Sequence, residues 1–83
     1  MNNYIEDVNK KALQPRDKYI LTIREAAMYF NIGIKKLRRL AEKYEGTFSL
    51  YMGNRYLIVR VKFEDYIDEL LKAKFEERMK KNS

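Results

Sequence analysis

The chain has no cysteine and no histidine, and only one proline and three glycines among its 83 residues. Without cysteine there are no disulfide staples and no thiolate nucleophiles. Without histidine as well, the usual zinc ligands are gone, and so is the one side chain whose unperturbed titration falls near neutral pH. Carboxylates, lysines and tyrosines remain, but no pair of them stands in a recognisable catalytic setting. The expectation is therefore no enzyme, no cofactor, no metal and no small-molecule substrate. A single domain of this length buries only about 60% of the surface its unfolded chain exposes, which leaves no room for a walled-off reaction chamber. Long apolar runs are missing too. Met1 to Leu13 carries Glu6, Asp7, Lys10 and Lys11 and does not read as a signal peptide, and nothing later is long enough to span a bilayer. A cytoplasmic protein without membrane attachment is expected, and the lack of cysteine is compatible with that.

What the chain does have is positive charge, unevenly spread. The net charge is +6. Between Lys35 and Arg60 seven bases (Lys35, Lys36, Arg38, Arg39, Lys43, Arg55 and Arg60) stand against only Glu42 and Glu45, while the rest of the chain is nearly balanced. A solvated surface of mixed charge would not segregate in this way, whereas a surface facing a polyanion would.

The hydrophobic pattern places that charge on particular elements. Residues 1–18 are polar and interrupted by Pro15. Ile5, Val8 and Ala12 have helical spacing, so this segment is either a short helix or an unstructured arm. Tyr19-Ile20-Leu21 reads as a short strand. Thr22-Ile23-Arg24-Glu25 reads as a capping box opening a helix with Ile23, Ala26, Ala27 and Phe30 on one face. Asn31-Ile32-Gly33 ends that helix, and a second runs from Ile34 to Tyr44 with Leu37, Leu40, Ala41 and Tyr44 as its buried stripe. At about 100° per residue Lys35, Arg39 and Glu42 point the opposite way, with Lys36 and Lys43 on one flank and Arg38 on the other. Two short helices joined by a tight turn form a helix-turn-helix whose second member has a basic outer face. Gly46 stops it. Phe48 to Met52 and Arg55 to Val61 then read as two strands joined by the hairpin turn Gly53-Asn54. Arg60 is expected on the solvent face of the second strand. From Lys62 to about Lys80 the pattern is helical, with Phe63, Tyr66, Ile67, Leu70 and Leu71 on the apolar face. Phe75 and Met79 fall in the second half, which is either a frayed end or a surface for another protein or a second copy. The fold class is α+β: a small winged helix-turn-helix with a β-hairpin wing and a C-terminal helix.

Two adjoining stretches carry a resemblance. One runs from Tyr19 through Thr22-Ile23-Arg24-Glu25-Ala26-Ala27 to Gly33; the other is Lys36-Leu37-Arg38-Arg39-Leu40-Ala41-Glu42-Lys43. Together with Gly53-Asn54-Arg55 and the segment from Phe63 to Leu70, they resemble the excisionases of conjugative transposons. These form a winged-helix branch related to the DNA-binding domain of the mercury-resistance regulators. Ile34 departs from the pattern, standing where a polar helix-starting residue is more usual and leaving Gly33 as the cap. The segments before Tyr19 and after about Ala73 are longer than the minimal family core.

The resemblance implies an architectural DNA-binding protein that bends the ends of a mobile element and assists a tyrosine recombinase (integrase) in excision. Its implied partners are double-stranded DNA and the recombinase, with cooperative self-association on DNA as a further expectation. Carried onto this chain, Lys35, Lys36 and Arg39 would face the major groove, Arg38 and Lys43 would lie nearer the phosphates, and Arg55 would sit on the wing. Arg39 is the best candidate for reading a base, since an arginine pairs bidentately with guanine. Lys35 and Lys36 are as suited to phosphates as to bases. The expected organisation is a terminal extension over 1–18, a winged-helix DNA-binding domain over 19–73, and a basic tail or helix end over 74–83. The alternatives are a small winged-helix transcriptional regulator, which would bind DNA in the same way, and an adaptor whose basic face meets an acidic protein. RNA binding is disfavoured, because the basic helix has no aromatic residue outside its core stripe. The solvated-face reading of that helix is disfavoured too, with one acid facing five bases.

Overall fold

The computed structural model describes residues 14–82, and side chains through Lys80. The helical spacing of Ile5, Val8 and Ala12 lies outside the described residues. A single 3-10 turn, Pro15–Asp17, leads into strand β1 (Ile20–Thr22), helix α1 (Ile23–Phe30) and helix α2 (Ile34–Lys43). Strands β2 (Ser49–Met52) and β3 (Arg55–Val59) follow, and then the long helix α3 (Arg60–Asn82). The three strands form one antiparallel sheet in the order β1-β3-β2. This is a small winged helix-turn-helix of the α+β class, with β2 and β3 as the wing.

Local chemistry accounts for most of the boundaries. The Thr22 hydroxyl accepts from the Glu25 amide at 3.1 Å while the Glu25 carboxylate accepts from the Thr22 amide at 3.0 Å, which satisfies two donors that α1 leaves open. Asn31 ends α1 in the left-handed conformation, with φ of 56°. Gly33 opens α2 without a side-chain cap, as the apolar Ile34 beside it suggests. The wing turns at Gly53 and Asn54, whose φ values of 64° and 63° are those of a type I′ hairpin. Tyr51 and Tyr56 stand opposite each other across the strands, with ring centroids 4.9 Å apart.

The core is built from Leu21, Ile23, Ala26, Ala27, Leu37, Ala41, Phe48, Ile58 and Phe63. Phe48 and Phe63 are fully buried and meet edge to face at 4.7 Å, with Phe30, Tyr44 and Tyr66 packed around them. Burying each phenyl ring stabilises the fold by about 2–3 kcal/mol. Small Ala26 and Ala27 let α1 and α2 approach closely. Buried Ser49 completes the join, since its hydroxyl donates to the Ala41 carbonyl at 2.5 Å. That carbonyl lies in the last turn of α2, where helical amide donors run out.

Two sequence expectations are corrected. Arg60 is not on the solvent face of a strand: β3 ends at Val59, and Arg60 is the first residue of α3. It is half-buried, its Nε donates to the Lys18 carbonyl at 2.8 Å, and its Nη1 meets the Glu64 carboxylate at 2.9 Å. The alternation of Val59, Arg60 and Val61 imitates a strand, but the i,i+4 pair with Glu64 belongs to a helix. The apolar face of α3 is also shorter than its periodicity suggests. Phe63 is buried and Tyr66 and Ile67 are half-buried, whereas Leu70 and Leu71 are exposed. A helix of 23 residues is about 35 Å long and outruns the three-stranded sheet and two short helices beneath it.

Candidate nucleic-acid interface

Helix α2 sets the geometry. Leu37 and Ala41 are buried against the core, which fixes the rotation of the helix about its axis. Lys35, Lys36, Arg38, Arg39 and Lys43 are all left exposed. Lys43 holds its ammonium 5.4 Å from the centre of the Tyr44 ring, a contact that steadies the side chain without neutralising it. Arg55 opens β3 beside the hairpin tip and is exposed as well.

The structure divides these residues into two groups. Lys35, Lys36, Arg39 and Lys43 occupy the outer face and one flank of α2. Arg38 is on the other flank and shares a cleft of about 390 Å³ with Arg55. The remaining walls of this cleft are Thr22, Ile23 and Arg24 at the start of α1, and Tyr51, Asn54 and Tyr56 on the wing. Arg24 was not singled out from sequence. Its position in the chain, inside a capping box and far from the basic window, gives no hint of it; only the docking of α1 against the wing brings it beside Arg38 and Arg55.

One nearby acid, Glu25, is engaged, while Glu42 and Glu45 are exposed. Partial burial pushes the Glu25 carboxyl up, but the Lys18 ammonium 2.5 Å away and the Thr22 amide and hydroxyl outweigh it and hold the group below the usual carboxylate range. Burial, helped by the charges of Glu45 and Glu42, pushes the Tyr56 phenol up, so it remains a neutral donor on the cleft wall at physiological pH. Among the described residues no helix is long and apolar enough to cross a membrane.

A helix-turn-helix whose second helix turns an unpaired basic face outward, flanked by a hairpin with an arginine at its tip, defines a winged-helix protein with a cationic face. Residues 6–72 match the family model described as the excisionase from transposon Tn916, so the chain belongs to the Tn916 excisionase family. Over 55 residues it is 53% identical to the excisionase from transposon Tn916 of Streptococcus agalactiae serotype V, a match covering 65% of this chain and 82% of that protein. No solved structure matches the chain significantly.

Proposed function

We propose that this protein binds double-stranded DNA at the ends of a mobile element, bends it, and helps a tyrosine recombinase assemble the excising complex. The observation that carries this reading is the exposed side of α2, where five cations on the outer face and both flanks, with one acid, Glu42, are turned away from the buried Leu37 and Ala41. A major groove about 12 Å wide admits such a helix, and the two phosphate strands then run along its flanks. In this docking Lys35, Lys36 and Arg39 face the groove, with Arg39 reading a base, while Arg38 and Lys43 lie nearer the phosphates. Arg55 on the wing meets the backbone or the adjacent minor groove. The protein acts without catalysis of its own, in the cytoplasm where its DNA is, and adjacent copies associate on the bent duplex. Membership of the excisionase family supports the role, and the cationic face supports the partner.

The test is a gel-shift and bending assay on duplexes from the element's ends, with random DNA as competitor. Preferential, salt-sensitive binding accompanied by a bend is expected. Preferential binding to a straight duplex would favour a simple regulator. No preference over random DNA by the folded protein would refute the reading.

A further inference from the structure

Resting on that DNA-binding reading, we propose that Arg24, Arg38 and Arg55 together clasp a single DNA backbone phosphate in the cleft between α2 and the wing. Arg24 thereby makes α1 part of the interface. The three arginines come from three different elements, α1, α2 and β3, yet all line the same cleft. No carboxylate lines it. Among the described residues none of the three arginine side chains forms an ion pair or a hydrogen bond, in contrast to that of Arg60, which is held by the Lys18 carbonyl and Glu64. Glu25, the acid next to Arg24 in sequence, is turned to Lys18 and the Thr22 amide and does not compete for it. Like charges lining one cleft without a carboxylate among them are unfavourable in the free protein, and an anion relieves them. Guanidinium forks match the geometry of phosphate oxygens, and the Thr22, Tyr51, Tyr56 and Asn54 side chains on the walls add neutral donors.

The helix terminus itself is not the attractor, because the capping box already occupies the Thr22 and Glu25 amides. The place of the cleft singles out a backbone phosphate over a free anion. It adjoins the flank of α2 that carries Arg38, opposite the flank with Lys36 and Lys43. A helix lying in the major groove is bordered by one strand on each flank, so Lys43 holds one strand and the clasp holds the other.

The experiment compares the wild type with Arg24→Gln on the element-end duplex and on a set of duplexes in which one phosphate at a time is replaced by an uncharged methylphosphonate. Arg24 is exposed and outside the capping hydrogen bonds, so the variant should stay folded, which a thermal melt checks. Arg24→Gln should bind the native duplex about tenfold more weakly at about 0.1 M salt, as expected for loss of one charge-assisted contact. One methylphosphonate position should weaken the wild type by more than about tenfold and Arg24→Gln by a smaller factor, because Arg38 and Arg55 still face that phosphate in the variant. Equal binding of the native duplex by both proteins overturns the clasp and leaves DNA binding intact. Equal further losses for both proteins at every position make Arg24 a diffuse charge and also overturn it. A saturable, Arg24-dependent response to inorganic phosphate, with no Arg24-dependent loss on DNA, assigns the cleft to a free anion instead. A wild type that does not bind the duplex refutes the underlying reading and the clasp with it.

Discussion

Salt should dissect the interface, because the structure separates cations that are free to meet phosphates from cations already neutralised. Seven exposed bases without a carboxylate partner share the α2 and wing side of the molecule: Arg24, Lys35, Lys36, Arg38, Arg39, Lys43 and Arg55. Lys18 and Arg60 are paired with Glu25 and Glu64. If five to seven of the free bases displace counterions, log affinity falls against log salt with a slope of about −4.5 to −6.3, at roughly −0.9 per contact. Raising salt from about 50 to 200 mM then weakens binding about 500- to 6,000-fold. Fluorescence anisotropy of a labelled duplex over a potassium chloride series measures the slope directly.

Two substitutions sharpen the test. Lys43→Gln should make the slope shallower by about 0.9. Arg60→Gln should leave it unchanged, since that guanidinium is already bound to the Lys18 carbonyl and the Glu64 carboxylate. A wild-type slope shallower than about −2 would refute the assignment of this face to a polyanion. An Arg60→Gln variant, folded by its melting profile, that loses as much slope as Lys43→Gln would refute the division between free and paired charges.

Ser49→Ala should cost about 1–3 kcal/mol in urea unfolding, because it leaves the buried Ala41 carbonyl without its donor; an unchanged midpoint would refute that role. Glu25→Gln should flatten the acid limb of the stability curve. The Glu25 pKa is lowered on folding, so its contribution is present above the unfolded value of about 4.5 and is lost as pH falls through the folded value. Thermal melts should therefore separate the two proteins at pH 7 and bring them together in acid, and a constant difference across that range would contradict the linkage. Gly53→Val should destabilise the wing by about 1–3 kcal/mol, because a β-branched residue resists a φ of 64°, and should weaken DNA binding as Arg55 loses its position. Melting temperature and duplex affinity unchanged from wild type would count against the strained turn.

Features were legible in the sequence where their cause is local. The capping box at Thr22 and Glu25, the left-handed residue at the end of α1 and the Gly53-Asn54 turn each depend on a few adjacent residues, and the structure has all three. The rotation of α2 was legible because Leu37 and Ala41 can face only one way, which sends the basic side chains outward. Features failed to show where the cause is a neighbour remote in the chain. Periodicity extends the apolar stripe of α3 to Leu71, but it does not say how much body lies beneath the helix, and the body ends soon after Ile67.

Arg60 and Arg24 make the same point within the charged surface. Arg60 counted towards the basic window, yet its guanidinium is used inside the protein, tying the 3-10 turn region to the start of α3 through Lys18 and Glu64. Arg24 lay outside the window, in a helix start that reads as purely structural, yet it reaches the cleft beside Arg38 and Arg55. The total of seven is the same whichever of the two is included, so net charge alone cannot distinguish the two surfaces. What separates them is whether a carboxylate folds back onto the guanidinium. Glu64 lies one helical turn from Arg60 and does so, whereas Glu25 is drawn away from Arg24 by Lys18. The Lys18–Glu25 pair therefore has a consequence beyond the small stability of a partly exposed ion pair: by engaging the one acid beside Arg24, it leaves the cationic cleft open.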